Sequence, residues 1–112
     1  MIRRGDINWL ERRTSGTVQG GRRPVLIIQN DAGNRTSRTT IVAAITSQSK
    51  SRPYPFHVPF TALESGLRLD GLVLCEQIQT VNQTELGAQI GNLPFEKMLE
   101  VDEALRRSLG LV

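Results

Sequence analysis

The chain has little of the residue types on which most catalytic sites depend. Its 112 residues include one histidine, His57, and one cysteine, Cys75. One of each is too few for a zinc site, and no motif beside His57 supports a serine-hydrolase triad. Cys75 has no second cysteine with which to form an internal disulfide, and it ends an apolar run, which is typical of a buried thiol. We therefore expect neither a metal nor a cofactor.

Long hydrophobic runs are also missing. No run approaches the roughly 20 apolar residues of a membrane-spanning helix, and the N-terminus lacks the apolar core of a signal peptide. The length suits one domain, here residues 1–112, with a small packed core. A lone thiol suits a reducing compartment. We expect a single-domain cytoplasmic protein without a membrane partner.

Charge is unevenly distributed along the chain. Residues 1–52 contain ten Lys or Arg against three Asp or Glu, a net charge of +7. Residues 53–112 contain four basic and eight acidic side chains, a net charge of −4. Arginine, which makes up nine of the ten cations in the first part, suits bidentate contact with phosphate. The asymmetry indicates a polyanion-facing surface, although an ordinary solvated surface rich in arginine would have the same composition.

Short apolar runs separated by turn residues predict strands over most of the sequence. The predicted strands are residues 5–10, 25–29, 39–46, 57–60 and 72–81. The strand at 57–60 is expected at a sheet edge, because Pro59 cannot donate a hydrogen bond to a ladder.

Residues 94–109 change to helical spacing. Met98, Val101, Leu105 and Leu109 form an apolar stripe, and Gly110 follows as a stop signal. Pro94 suits the first helical turn, and Asn92 is expected near the cap. Short strands followed by one packing helix predict a mainly β (α+β) fold, a small barrel covered by a C-terminal helix.

One stretch joins a glycine-rich loop to two cations and a strand. The sequence GTVQGGRRPVLIIQND (16–31) places Arg22 and Arg23 directly before an apolar run. The stretch is not a nucleotide-binding P-loop, since the Gly-Lys-Ser/Thr ending is absent. Pro24 restricts Arg23 to extended backbone conformations, which helps to aim its side chain. By themselves these residues indicate only a β-rich domain with a basic, glycine-rich loop.

Five motifs give the chain a resemblance to MazF/PemK-type toxins, the endoribonucleases of bacterial toxin–antitoxin systems. They are RRGDI (3–7), GGRRPVLIIQND (20–31), IVAAITSQ (41–48), LCEQIQTV (74–81) and EALRRSLGL (103–111). The resemblance implies an SH3-like barrel of the CcdB–PemK type that assembles as a homodimer. It also implies metal-independent cleavage of single-stranded RNA, mostly messenger RNA, at a short specific sequence by attack of the 2′-hydroxyl. A cognate MazE-like antitoxin would neutralise the enzyme.

The resemblance also assigns the site residues. The family's catalytic arginine and threonine fall on Arg23 and Thr46. A guanidinium can stabilise the charge that builds on the phosphate oxygens, and a strand-end hydroxyl can donate to the same phosphate. The RNA-binding positions, polar side chains suited to bases, fall on Gln19, Asn30, Ser47, Gln48, Glu76 and Gln77. Arg22 has no support from the family register and is expected to be an auxiliary phosphate contact in RNA binding. Because the chain has only five aromatic side chains, hydrogen bonding is expected to matter more than stacking.

The sequence departs from the family pattern at Val18, where glutamate is common. Such a carboxylate could serve as the general base or hold the arginine, whereas arginine is a poor base because its pKa exceeds about 12. Glu76 is the nearest motif carboxylate in the family register. We expect activity to survive with Arg23 and Thr46 dominant, and a weakened nuclease kept as an RNA-binding paralogue is the alternative.

A non-enzymatic inhibitor on the same fold is a second alternative. CcdB-type toxins resemble these barrels but poison DNA gyrase by protein contact, using aromatic and apolar residues at the C-terminus. This chain ends in EALRRSLGLV, which contains no aromatic residue. The ending and the motifs around Arg23 and Thr46 favour the nuclease.

Overall fold

The computed structural model describes residues 1–11, 21–47 and 54–112. In these ranges the chain forms six strands, three α-helices and one 3-10 turn. The strands are β1 (Asp6–Glu11), β2 (Arg22–Ile27), β3 (Thr39–Thr46), β4 (His57–Phe60), β5 (Gly71–Asn82) and β6 (Leu86–Asn92). The helices are α1 (Asp31–Thr36), α2 (Ala62–Ser65) and α3 (Phe95–Leu109), and the 3-10 turn is Gln83–Glu85.

The described strands form one antiparallel sheet in the order β4-β5-β3-β2-β1-β6. The predicted mainly β fold with a C-terminal helix is confirmed. β3 and β4 have the predicted bounds, and β4 lies at the edge of the sheet, as Pro59 requires. β2 begins earlier than its apolar run because β1 provides backbone partners for Arg22 and Arg23 at Glu11 and Leu10.

The two edges of the sheet, β4 and β6, are not joined by a ladder in the described part of the chain. Instead α2, which directly follows β4, packs against β6. At this contact Gly91 lies so close to Ser65 that a Cβ on Gly91 would overlap the Ser65 carbonyl oxygen. A packed helix thus connects the edges where a fully closed barrel would have backbone hydrogen bonds.

Two clusters of apolar side chains lie on opposite faces of β2. Leu26 belongs to the larger cluster, which also contains Val73 and, from α3, Val101. Val25 and Ile27 belong to the smaller cluster. Since successive strand residues point to opposite faces, a strand buried on both sides needs a continuous apolar run. This explains the unbroken sequence Val-Leu-Ile and places β2 in the interior of the sheet.

The C-terminal helix follows the predicted stripe only in part. Met98 and Val101 are buried, but Leu109 is 53% exposed because it lies in the last turn, beyond the sheet contact. The helix begins one residue later than predicted: Pro94 is the cap, and Asn92 belongs to β6. Gly110 ends it in the left-handed conformation, with φ of 70°. In the described ranges, no helix is both long and apolar enough to cross a membrane.

Helix α1 and strand β6 have no clear sequence signal. Gly33-Asn34 reads as a turn, yet Asn30 starts a six-residue helix by accepting a hydrogen bond from the Gly33 backbone N–H at 2.7 Å. The buried Asn34 side chain then accepts from the Thr40 hydroxyl at 2.7 Å, which ties α1 to β3. β6 contains two glycines and lacks strict alternation, so its pairing with β1 rather than its composition makes it a strand.

Cys75 is fully buried in the larger cluster, and we predict a thiol that is inert in the folded protein. Burial, with Glu76 adding a smaller repulsion, raises the pKa of the Cys75 thiol from an ordinary 9.0 to about 12. Because the folded-state pKa is raised, the thiol's contribution to stability is present below pH 9.0 and is lost as pH rises toward about 12. Thiol reagents at about pH 8 should label the protein only as fast as it unfolds.

The measurement is labelling of native protein by a chromogenic disulfide reagent, with and without urea. A Cys75→Ala variant controls for the pH dependence and should show a smaller loss of unfolding free energy above pH 9.0. Complete labelling of the folded protein within seconds would contradict the burial.

Candidate active site

The ends of two neighbouring strands bring the predicted catalytic pair together. β2 and β3 are antiparallel, with Val25 opposite Ala44. The same register, extended by two residues, sets Arg23 opposite Thr46, and opposite residues of an antiparallel pair project from the same face. Both residues line one cleft with a volume of about 480 Å³.

Arg23 combines a fixed backbone with an exposed side chain. Its backbone is paired with Leu10 of β1, a residue of the smaller apolar cluster, and the following Pro24 is paired with Trp9. Arg23 is exposed at the surface of the protein and is one of the residues that line the cleft. An arginine whose backbone is fixed and whose guanidinium is accessible can donate two parallel hydrogen bonds to an anionic ligand.

Thr46 closes β3 at the same level. It pairs with Leu72 of β5 and is half-buried, and the exposed Ser47 follows it in the cleft wall. Gly71 packs against its backbone: a Cβ there would lie 2.6 Å from the Thr46 carbonyl oxygen. This close approach leaves the backbone at the end of β3 little room to move toward β5.

The opposite wall of the cleft is the turn between α2 and β5, residues 66–70. Helix α2 begins with a capping box in which Thr61 and Glu64 exchange hydrogen bonds, at 3.0 and 2.9 Å. The hydrogen bond from the Thr61 backbone N–H, helped by the charge of Lys97, holds the pKa of the Glu64 carboxyl below its ordinary value. Asp70 accepts from the Ala62 backbone N–H at 2.7 Å, which pins the turn to the helix.

Two residues of the cleft have no role in the sequence-based assignment. Arg68, in the turn, adds a second cation to Arg23. Trp9, from β1, adds an aromatic surface. Nothing local in the sequence brings Arg68 near Arg23, and Trp9 reads as a weakly alternating strand residue. Two arginines and a tryptophan thus border the cleft, which suits a nucleotide with its phosphate and aromatic base.

A metal centre is not indicated by the arrangement of ligand-type side chains. In residues 1–11, 21–47 and 54–112, no group of three or more His, Cys, Asp or Glu side chains could hold an ion.

The match to a family model agrees with this geometry. Residues 3–109 match the model for PemK-like, MazF-like toxins of type II toxin–antitoxin systems. The chain belongs to this family. The match spans nearly the whole length and therefore includes both strands that hold Arg23 and Thr46.

Similar proteins of this family include an enzyme and two antitoxin-bound toxins. The toxin is 45% identical to Endoribonuclease EndoA of Bacillus subtilis, over 100% of this chain and 97% of the relative. An endoribonuclease from Mycobacterial species, solved with its cognate antitoxin, has a TM-score of 0.82 at 26% identity and covers 100% and 98% of the two chains. A MazE–MazF complex of Deinococcus radiodurans has a TM-score of 0.80 at 26% identity, covering 99% and 98%.

Asn30, an RNA-binding position predicted for the toxin, lies at the other end of β2 from the cleft. Its side chain caps α1 through the hydrogen bond to Gly33. Asn30 lies three residues past the end of β2, and the four steps from Arg23 to Ile27 alone rise roughly 13 Å. The structure assigns Asn30 a helix-capping contact and does not bring it into the cleft.

Glu76 and Gln77 lie along β5, away from the cleft wall. Both are exposed, and the carboxylate of Glu76 is 2.9 Å from Nε2 of His57. The pair lies beside an irregularity in the β3–β5 ladder, past Leu74. Neither residue lines the cleft of this toxin, so Glu76 is not placed beside the reacting phosphate that Arg23 and Thr46 would hold.

The remaining predicted positions are only partly described. Ser47 lies in the cleft. Arg22 is not among the residues that line the cleft. Its guanidinium is stacked on Trp9, with Cζ 4.6 Å from the ring centroid. Gln19, Gln48 and the unusual Val18 lie outside the described residues.

Proposed function

We propose that this toxin is an endoribonuclease that cleaves single-stranded RNA, mainly messenger RNA, at a short specific sequence. The observation that carries the proposal is the cleft in which Arg23 and Thr46 lie together. The 45% identity to Endoribonuclease EndoA supports the reaction class. The net charge of +7 on residues 1–52 supports a polyanionic substrate.

In the proposed reaction the RNA supplies its own nucleophile. The 2′-hydroxyl oxygen attacks the adjacent phosphorus while the bond from phosphorus to the 5′-oxygen breaks. The 2′-hydroxyl loses its proton and the leaving oxygen gains one, so the products are a 2′,3′-cyclic phosphate and a 5′-hydroxyl. Negative charge grows on the non-bridging oxygens, where Arg23 donates two hydrogen bonds and Thr46 donates one. Because a guanidinium supplies the positive charge, the step is proposed to need no metal.

We infer that the toxin works as a cytoplasmic homodimer that a MazE-like antitoxin holds inactive. Two of its structural relatives are solved with an antitoxin. An acidic antitoxin segment would suit the basic first part of this chain and, by covering Arg23 and Thr46, would exclude RNA. A solution mass equal to a single chain would contradict the dimer.

Incubation of the protein with end-labelled messenger RNA in the presence of EDTA tests the proposal. We expect discrete fragments that carry 2′,3′-cyclic phosphate and 5′-hydroxyl ends, and no cleavage at saturating antitoxin. A DNA copy of the same sequence, which lacks the 2′-hydroxyl, is the control and should stay intact. RNA that is bound but not cut would favour the weakened paralogue, and inhibited gyrase without any cleavage would favour the CcdB-like alternative.

A further inference from the structure

Trp9 is the one tryptophan of the chain and lies in the wall of the cleft beside Arg23. On β1 it shares a face with Ile7, which is fully buried in the larger cluster, yet Trp9 itself is only half-buried. Ile7 therefore packs in the core, whereas part of the Trp9 indole remains accessible at the cleft. Large aromatic side chains that remain accessible beside cations are suited to stack on nucleic acid bases.

The guanidinium of Arg22 packs on one face of the Trp9 indole. The β1–β2 register sets Arg22 opposite Glu11 and thus diagonal to Trp9 on the same face. The guanidinium carbon lies 4.6 Å from the centroid of the ring, within the range of a cation–π contact. One face of the indole is therefore covered, and the ring orientation is restricted.

Trp9 borders the same cleft as Arg23 and Thr46. Trp9 is the cross-strand partner of Pro24, the neighbour of Arg23. By strand alternation the side chains of Trp9 and Arg23 leave the ladder on opposite faces, and the cleft at the strand ends is where the two residues meet. The cleft wall near the ring is apolar, with Phe60, Leu67 and Ile90, and can accept the flat face of a base.

We propose that the indole of Trp9 is a stacking platform for a base next to the phosphate held by Arg23, and that Arg22 positions the ring. The inference rests on the proposed RNA-cleaving function and adds a residue that selects and orients the substrate. Single-stranded RNA presents unstacked bases that aromatic side chains can bind. Arg22 then acts through Trp9, whereas the sequence alone made it an auxiliary phosphate contact.

Intrinsic fluorescence tests the platform directly, because Trp9 is the sole indole. The probes are four 2′-O-methyl homodecamers, one for each base, which lack a reactive 2′-hydroxyl and together cover every base that the toxin could recognise. A decamer of abasic spacers keeps the phosphates and lacks the bases. We expect at least one homodecamer to quench the Trp9 emission in a saturable way. The abasic decamer should not quench it, even at concentrations where the anisotropy of a labelled abasic decamer shows that the protein binds it.

Variants separate stacking from charge. Trp9→Leu should weaken binding of the quenching decamer by about 5- to 150-fold, with Trp9→Phe between it and wild type. The slope of affinity against salt should stay unchanged, since no phosphate contact is lost, whereas Arg23→Ala should reduce that slope by about one. Phe95→Leu, which changes an exposed aromatic residue on α3, is the matched control and should bind like wild type.

Failure of this inference is distinguishable from failure of the proposed nuclease. Quenching by base-bearing decamers can be observed whether or not the protein cleaves RNA, and cleavage can be observed without quenching. Emission that no decamer changes, or quenching that is equally strong with the abasic decamer, overturns the platform. If Trp9→Leu does not fold, as judged by circular dichroism, the wild-type quenching and the abasic comparison still decide.

Discussion

Replacing Arg23 with alanine should slow RNA cleavage by about 100- to 1,000-fold while leaving the fold intact. Loss of a single preorganised donor to a charge-developing oxygen costs about this factor, and Arg23 lines the cleft together with Thr46. Its side chain is exposed and its backbone is held by β1, so the truncation removes donors without opening the core. The measurement is the single-turnover rate on a labelled RNA that contains one mapped cleavage site.

Two further arginine variants make the Arg23 result interpretable. Arg23→Lys keeps the charge and loses the planar pair of donors, so its rate should lie between those of wild type and Arg23→Ala. Arg38→Ala removes an exposed arginine between α1 and β3, at the opposite end of β3 from Thr46, and should cleave like wild type. Equal rates for wild type and Arg23→Ala would falsify the assignment.

If Arg23 and Thr46 act on the same phosphate, the double variant should show non-additive losses of rate. Groups that stabilise the same phosphate act as a unit, and their losses do not add. The double variant Arg23→Ala/Thr46→Val should therefore be little slower than Arg23→Ala alone. A rate equal to the product of the two separate losses would mean that the residues act at different places.

Gly71→Ala should lower both the stability and the activity of the protein. The new methyl group would lie 2.6 Å from the Thr46 carbonyl oxygen and 2.7 Å from Cζ of Phe60. Gly71 is the first residue of β5 and is paired with Phe60 of β4, so the strain must move the end of β3 or the Phe60 ring. Overpacking of this kind costs about 1–3 kcal/mol, which corresponds to a fall of roughly 4–12 °C in Tm.

The same displacement of Thr46 should slow cleavage, which a purely local packing defect elsewhere would not do. Gly87→Ala is the matched control: it is also a strand glycine, and its Cβ would meet the nearest atoms only at 3.4 Å. It should change Tm by much less and, since its contacts are with Glu11 and Trp9 and not with Thr46, leave the rate at saturating protein unaltered. Thermal unfolding and single-turnover cleavage of both variants decide the matter, and a Gly71→Ala protein as stable and as fast as wild type contradicts the close contact.

The elements that the sequence predicts well are those with a strong local pattern. The β-branched run at 39–46 and the helical stripe from Met98 are recognisable because strand and helix spacing are properties of neighbouring residues. β6 and α1 lack such a pattern. The first becomes a strand by pairing with β1, and the second is built around the buried Asn34, contacts that no local spacing reveals.

The sequence by itself determined the family and the predominance of β structure, because motif order and apolar spacing are written along the chain, and the family motifs predict Arg23 and Thr46 as the catalytic pair. Only the tertiary structure decided which residues share the cleft. It brought Arg68 and Trp9 beside Arg23, and it put Asn30 on a helix cap and Glu76 beside His57. The reason is physical: the neighbours of a strand-end residue are set by the hydrogen-bond register with other strands and by the turn that packs over them. Both depend on residues that are distant along the chain.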